Sequence, residues 1–178
     1  MTPGRATPVR ATRVRLRDGT RVAIRPVQPD DARHASAFFD WLSDETRYLR
    51  FMYPVRELTP AMLDSALAQD GLRRVSLVVE PLLPVAPSEP PAIALGRYAP
   101  TDNPDDCEVA LTVGDAWQGR GVGGRLLERL IVLAARGGYR SMSATALSTN
   151  ARRIGLARAF GFGITEQAEG VTVMRRPL

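Results

Sequence analysis

One glycine-rich stretch limits the possible folds of this chain more than any other feature. Residues 117–130 read WQGRGVGGRLLERL, in which Gly119, Gly121, Gly123 and Gly124 precede apolar residues at helical spacing. A glycine loop that leads into a helix presents backbone N–H groups and positive partial charge to an anion. The stretch therefore predicts a strand, loop and helix unit built to hold an anionic ligand.

Two common phosphate-binding loops fit this stretch poorly. A P-loop needs lysine after its last glycine, and all 24 basic residues here are arginine. Gly119, Gly121 and Gly124 match the dinucleotide pattern G-x-G-x-x-G, which is usually followed about 20 residues later by an acidic residue for the ribose. No Asp or Glu occurs over residues 129–165. Among dinucleotide-binding sites, only an NADP site that uses Arg140 is still compatible with the sequence.

The rest of the chain alternates strand-like and helix-like segments. Asp18-Gly19 predicts a β-hairpin near residues 13–25. Helical spacing predicts helices from Pro29, after a Ser43 cap and after a Thr59 cap, the last ending at Gly71. Further helices are predicted to about Arg136 and over residues 150–160, and strands over residues 72–80, 92–98, 107–114, 141–148 and 171–177. Five prolines within residues 81–91 predict a surface loop. This order predicts one mixed α/β sheet with helices on its faces.

Length and charge narrow the class of protein. At 178 residues the chain fits one domain. A net charge of +5 favours an anionic partner. The arginines are spread along the chain instead of clustering with aromatic residues, so we expect no nucleic-acid partner. We interpret residues 1–12 as a flexible basic tail.

Apolar stretches and cysteine usage predict a location. No stretch approaches about 18 uninterrupted apolar residues, and no apolar segment follows the basic start. We therefore expect no membrane association and no secretion. One cysteine, Cys107, and one histidine, His34, cannot form the usual zinc ligand sets or an internal disulfide. The sequence predicts a cytoplasmic protein without a bound metal.

Two motifs, in order, carry a family resemblance. Glu108 lies in a predicted strand before Gln118-Gly119-Arg120-Gly121-Val122-Gly123, and Asn150 opens a helix that ends at Gly161-Phe162. This arrangement resembles the acetyl-CoA site of the GNAT superfamily of N-acetyltransferases. The opening, RLRDGTRVAIRPVQPDDA, resembles the GNAT domain of bacterial Pat-type protein-lysine acetyltransferases. The resemblance implies a single α/β (α+β) GNAT domain over residues 13–178, with a mixed, mostly antiparallel sheet of six or seven strands flanked by helices.

The resemblance also implies roles for particular residues. Acetyl-CoA would be the cosubstrate, and backbone groups of Leu111 and Val113 would bind its pantetheine arm, with Asn150 as a further contact. Asn150 is equally suited to cap its helix. The residues expected at the pyrophosphate are Gln118, Gly119, Arg120, Gly121, Val122, Gly123 and Gly124.

Glu108 is the predicted general base. Strand alternation places it on one face with Ala110 and Thr112, opposite Val109. We expect it to be partly buried, which would suit proton transfer near neutrality; the alternative is an ordinary solvent-facing glutamate of a strand. Many GNAT enzymes have a tyrosine acid at the position of Ala157, so the acid is not identified here.

Three functions stay open from the sequence. The first is acetyl transfer to a protein lysine, which the Pat-like opening favours. The second is acetyl transfer to a small-molecule amine. The third is a non-catalytic module that binds acyl-CoA and regulates a partner. The sequence leaves open whether the chain is a monomer or a homodimer.

Overall fold

The computed structural model describes residues 9–83 and 89–178. Eight strands form one sheet, one more than the upper end of the predicted range. The strands are β1 (Thr12–Arg15), β2 (Arg21–Pro26), β3 (Val75–Pro81), β4 (Ala94–Pro100), β5 (Asp106–Val113), β6 (Ser141–Leu147), β7 (Gly163–Ala168) and β8 (Val171–Pro177). Their order is β1-β2-β3-β4-β5-β6-β8-β7. Only β5 and β6 pair in parallel among the described strands, so the sheet is mixed and mostly antiparallel, as predicted.

Five helices cover the two faces of this sheet. They are α1 (Ala32–Trp41), α2 (Asp44–Phe51), α3 (Pro60–Leu67), α4 (Val122–Arg136) and α5 (Ala151–Ala159). The apolar side of α4 packs on β3, β4 and β5, and contributes Leu126 and Leu130 to the main core. A second core on the opposite face joins Phe38 and Phe39 of α1 to the sheet.

Two of the predicted helix starts are confirmed by their caps, while the α-helix predicted from Pro29 begins at Ala32 after a short 3-10 turn. Ser43 Oγ accepts a hydrogen bond from Thr46 N at 3.2 Å, and Thr59 Oγ1 accepts one from Met62 N at 3.2 Å. The β1–β2 hairpin turns at residues 16–20, where Gly19 has a φ of +88°. Helix α3 ends at Leu67 rather than at Gly71, because Ala68 already takes an extended backbone conformation.

Strand β7 is the element that the sequence analysis missed. All six of its residues are exposed, and it lies at the sheet edge beyond β8 with a register shift between Ile164 and Glu166. A strand that buries neither face shows no apolar alternation. This strand accounts for the count of eight against the expected six or seven.

Two predicted segments fall partly outside the described residues. These are residues 1–8 of the expected tail and residues 84–88 of the proline-rich loop. Next to the first gap, Val9 packs against the main core, and the carbonyl of Arg10 accepts a hydrogen bond from Arg129 at 3.1 Å. Among the described helices, none has the length and apolar character needed to cross a membrane.

Candidate active site

The parallel strands β5 and β6 pair at only one end. Their register runs through Asp106, Cys107 and Glu108, and Glu108 opposite Ser143 is the last rung. Beyond it, β5 continues to Val113 along β4, while none of the described strands pairs with its other edge. The fold thus opens a wedge beside residues 109–113, where one edge of β5 has no sheet partner among the described strands.

The glycine loop closes the wide end of this wedge. Gly119 and Gly121 have φ values of +75° and +94°, a left-handed conformation that other residues adopt at a cost. Gly121 is the N-cap of α4. The first N–H groups of a helix have no intrahelical acceptor, so those of Val122, Gly123 and Gly124 are available to an anion.

A cavity lies in the wedge between β5, β6 and α5. Leu111 and Val113 line the approach to α4, because a Cβ added at Gly123 would lie 3.5 Å from Val113 Cγ2 and 3.8 Å from Leu111 Cδ1. Both side chains are half-buried. The cavity is lined by Val109, Leu111, Leu127, Ala144, Arg153, Leu156, Ala157 and Phe162.

Gln118 connects the glycine loop to three neighbouring elements. Its Nε2 donates to Val113 O at 3.1 Å and to Thr46 Oγ1 at 3.2 Å, and its Oε1 accepts from Arg152 of α5. Asp115 strengthens the same junction, since its carboxylate accepts from Ser43 N, Ser43 Oγ and Thr46 Oγ1. Burial acts against the charge on Asp115, but these hydrogen bonds outweigh it and lower its pKa.

The side chain of Arg120 is turned toward the β1–β2 hairpin. Its Nε donates to Asp18 Oδ2 at 2.6 Å and its guanidinium lies 4.1 Å from the Trp117 ring centre. The hairpin also brings Arg17 against the loop, with its Cγ 3.5 Å from a Cβ added at Gly121. The side chain of Arg120 is therefore engaged by Asp18. The group that Arg120 can offer to an anion in the loop is its backbone N–H.

Asn150 is the N-cap of α5. Its Oδ1 accepts from Arg153 N at 3.0 Å, which is the capping role weighed from the sequence. Its side-chain amide N–H groups are not used by this bond. Contact with a pantetheine arm stays a prediction.

Glu108 lies on the predicted face of β5 but is not buried. Its neighbours along that face, Ala110 and Thr112, line a cavity under α1, α2 and α3. Glu108 is exposed, which contradicts the expected partial burial, because it stands where the sheet opens. Its Oε1 accepts a hydrogen bond from Thr145 Oγ1 of β6 at 3.0 Å. The carboxylate is thus held between β5 and β6 at the narrow end of the wedge.

Cys107 points to the opposite face and into the core. It is fully buried, and burial raises the pKa of its thiol to about 12. A thiol with so high a pKa is a poor nucleophile near neutrality. We therefore interpret Cys107 as an inert core residue of the strand.

Three arginines near Glu108 were not singled out from the sequence. They are Arg50 of α2, Arg97 of β4 and Arg153 of α5, all half-buried. Burial lowers the pKa of each, and the charge of Glu108 acts on each in the opposite direction. Arg97 of β4 lies opposite Ala110 of β5, so it is a diagonal cross-strand neighbour of Glu108. In a chain with 24 arginines and no lysine, composition gives no signal for which of them are buried.

Four tyrosines differ in their availability as an acid. The hydroxyls of Tyr98 and Tyr139 donate to Leu72 O and Arg73 O, at 2.8 and 2.7 Å, and both rings are buried. Tyr48 and Tyr53 are 43% and 54% exposed on and just after α2, beside the Glu108 face. Ala157, which stands at the family's tyrosine position, is buried. Tyr48 and Tyr53 are therefore the two tyrosines whose hydroxyls are free to act as an acid.

One cluster of two carboxylates and a histidine contains side chains of the types that bind metal ions. Asp31, His34 and Glu80 lie together, but Arg25 donates to both carboxylates, at 2.7 Å to Asp31 and 2.5 Å to Glu80. The guanidinium already neutralises the oxygens that a cation would need. We interpret the cluster as an ion-pair network.

Relatives with known sequences match most of the chain. It is 33% identical over 150 residues to an acetyltransferase of Pseudomonas aeruginosa, which covers 83% of this chain and 77% of that protein. It is 35% identical over 139 residues to the acetyltransferase Pat of Mycolicibacterium smegmatis. That match covers 77% of this chain but only 40% of Pat.

Solved structures and a family model agree with this match. The GNAT domain of S. lividans PAT superposes with a TM-score of 0.83 at 32% identity, covering 94% of this chain and 97% of that one. The yncA protein of Salmonella typhimurium, solved with its cofactor acetyl-CoA, has the same fold, with a TM-score of 0.71 at 24% identity over 88% and 94% of the two chains. The acetyltransferase (GNAT) domain model matches residues 21–163. The chain therefore belongs to the GNAT acetyltransferase domain family.

Proposed function

We propose that the protein transfers an acetyl group from acetyl-CoA to a primary amine, and that the amine is a protein lysine. The observation that carries the proposal is the wedge between β5 and β6, with the glycine loop at its wide end and Glu108 at its last rung. Family membership and the likeness to the PAT domain favour the acceptor class. A single buried cysteine supports a cytoplasmic location.

The chain offers complementary groups for each part of acetyl-CoA. N–H groups of Gly119, Val122, Gly123 and Gly124 would donate to the pyrophosphate, whose charge the α4 N-terminus favours. The open edge of β5 at Leu111 and Val113 would pair with the pantetheine amides as an added strand. Asn150 would contact the same arm through its free amide.

Glu108 would serve as the base. A lysine ammonium with a pKa of about 10.4 must lose a proton before attack, at a cost of about 4.6 kcal/mol at pH 7. The carboxylate, directly or through one water, would take that proton. The amine nitrogen then forms a bond to the thioester carbonyl carbon and the C–S bond breaks. The nitrogen loses its second proton as the amide forms, and the departing thiolate takes up a proton to leave as coenzyme A.

An acceptor panel tests this function and its base together. Thiol release from acetyl-CoA is followed with lysine proteins, lysine peptides and small amines. We expect release that requires an acceptor, and a loss of about 10²- to 10⁴-fold in kcat/KM for Glu108→Gln. Glu166→Gln on the exposed edge strand β7 is the matched control and should have wild-type activity.

The other possible outcomes of the acceptor panel lead to different conclusions. Full activity of Glu108→Gln would refute the base and leave the transfer reaction intact. Preference for small amines over every lysine protein would replace the acceptor class. Tight acetyl-CoA binding without release to any acceptor would make the chain a binding module.

A further inference from the structure

A cavity on the Glu108 face of the sheet combines an apolar lining with two cations. It lies between helices α1, α2 and α3 and strands β4 and β5. Aromatic and aliphatic side chains form most of the wall, and Arg50 and Arg97 supply the charge. The lining includes Phe38, Phe39, Phe51, Leu58, Leu95 and Thr112.

Arg50 has no partner among the described residues. It forms no hydrogen bond or ion pair with any of them, although it is half-buried and lies 5.0 Å from the Phe51 ring centre. Arg47, one turn earlier on α2, donates to the carbonyls of Phe39, Asp40 and Arg56. Arg97 is likewise engaged, by Ser65. The Arg50 guanidinium is therefore free to donate hydrogen bonds to a ligand in the cavity that it lines.

Nearby charges leave this site positive. Burial and the repulsion of Arg153 and Arg97 lower the pKa of Arg50 to about 10, and the smaller effects of Glu108 and Tyr53 act in the opposite direction. One carboxylate, which must also serve as the base, faces three arginines. The cavity therefore favours an anionic group close to the position where the amine reacts.

We propose that the acceptor carries a carboxylate beside its reactive amine, and that Arg50 binds this carboxylate. This inference rests on the proposed function and specifies its acceptor. The planar guanidinium can hold a carboxylate through two parallel hydrogen bonds, while the apolar wall packs against the aliphatic part of the acceptor. The carboxylate has two possible sources, an Asp or Glu next to a lysine in a protein, or the α-carboxylate of a free amino acid.

Paired acceptors test the role of Arg50. One pair is a lysine peptide with Glu or with Gln beside the lysine, and the other is free lysine and lysinamide. Binding of each to the protein saturated with coenzyme A is measured by calorimetry. We expect at least one acidic member to bind about 10- to 100-fold more tightly than its neutral partner.

Variants test whether Arg50 causes the preference for acidic acceptors. Arg50→Gln should remove the preference, and Arg50→Lys should retain only part of it because lysine lacks the planar fork. Arg56→Gln removes an exposed charge nearby and should leave the preference unchanged. Circular dichroism of each variant checks that it is folded.

The outcomes separate this inference from the proposed function. Equal binding of acidic and neutral members, no binding of any member, or a preference that survives Arg50→Gln would overturn the inference. A preference confined to the peptide pair assigns the carboxylate to a protein, and one confined to the lysine pair assigns it to an amino acid. Thiol release from acetyl-CoA, followed with the same acceptors in separate samples, tests transfer independently, because equal turnover of both members refutes only the inference.

Discussion

At the scale of single residues, Arg25 holds two carboxylates that come from different parts of the chain. It donates to Asp31, which is 6% exposed, and to Glu80 of β3. The hydrogen bond from Arg25 is the main reason that the pKa of Asp31 falls to about 2, although burial alone would raise it. The pair ties the start of α1 to the sheet.

This ion pair predicts acid sensitivity. The pKa of Asp31 is lower in the folded than in the unfolded chain, so its contribution is fully present above about pH 4 and is lost as pH falls toward 2. Between pH 7 and pH 3 we expect Asp31 to account for a loss of about 1 kcal/mol in the free energy of unfolding. Urea unfolding of wild type and Asp31→Asn at both pH values measures this. An equal pH dependence in the two proteins would contradict the prediction.

Individual site residues were predictable where the local backbone fixes them. Asn150 precedes a helix and caps it, and Gly121 supplies the left-handed N-cap of α4. Arg50 and Asp115 were not predictable, because their roles depend on groups distant in the sequence. The exposure of Glu108 was also missed, since alternation along a strand gives the face of a side chain but not what covers that face.

At the scale of elements, α1 packs against the end of β5 at a glycine. A Cβ added at Gly114 would lie 2.2 Å from Trp41 Cζ3, closer than atoms can approach. The φ of Gly114 is −57°, which any residue can adopt. The requirement for glycine is therefore steric.

A pair of alanine substitutions tests this packing. Gly114→Ala should displace the Trp41 ring and lower the free energy of unfolding by about 1–3 kcal/mol. Gly155→Ala in α5, where an added Cβ has no heavy atom within 4 Å, should be neutral or stabilise by up to about 1 kcal/mol. Chemical denaturation measures both. Equal stability of the two variants would show that Trp41 has room to move.

The order of the elements was predictable, and the wedge was not. Turn residues, helix caps and β-branched runs identified every described strand except β7 and every described helix. Separation of β5 from β6 is a tertiary property, because both strands have ordinary strand sequences. Their pairing ends at Glu108, and no local pattern marks that residue.

At the scale of the whole molecule, the absence of lysine has a chemical consequence. A lysine acetyltransferase of this composition has no side-chain amine of its own to modify. After incubation with acetyl-CoA, intact mass spectrometry should detect no acetyl adduct beyond the N-terminal amine. Arg56→Lys supplies an exposed target as a positive control. A side-chain adduct on the wild-type protein would show that another residue type accepts acetyl groups.

The proposed function requires acetyl-CoA to bind along the open edge of β5 and the glycine loop. Amide hydrogen exchange with and without acetyl-CoA tests it most directly, since unpaired N–H groups in the wedge would gain acceptors. We predict slower exchange at residues 109–113 and 119–124 and unchanged exchange in the β1–β2 ladder. Binding of acetyl-CoA without protection of those two segments would contradict the account.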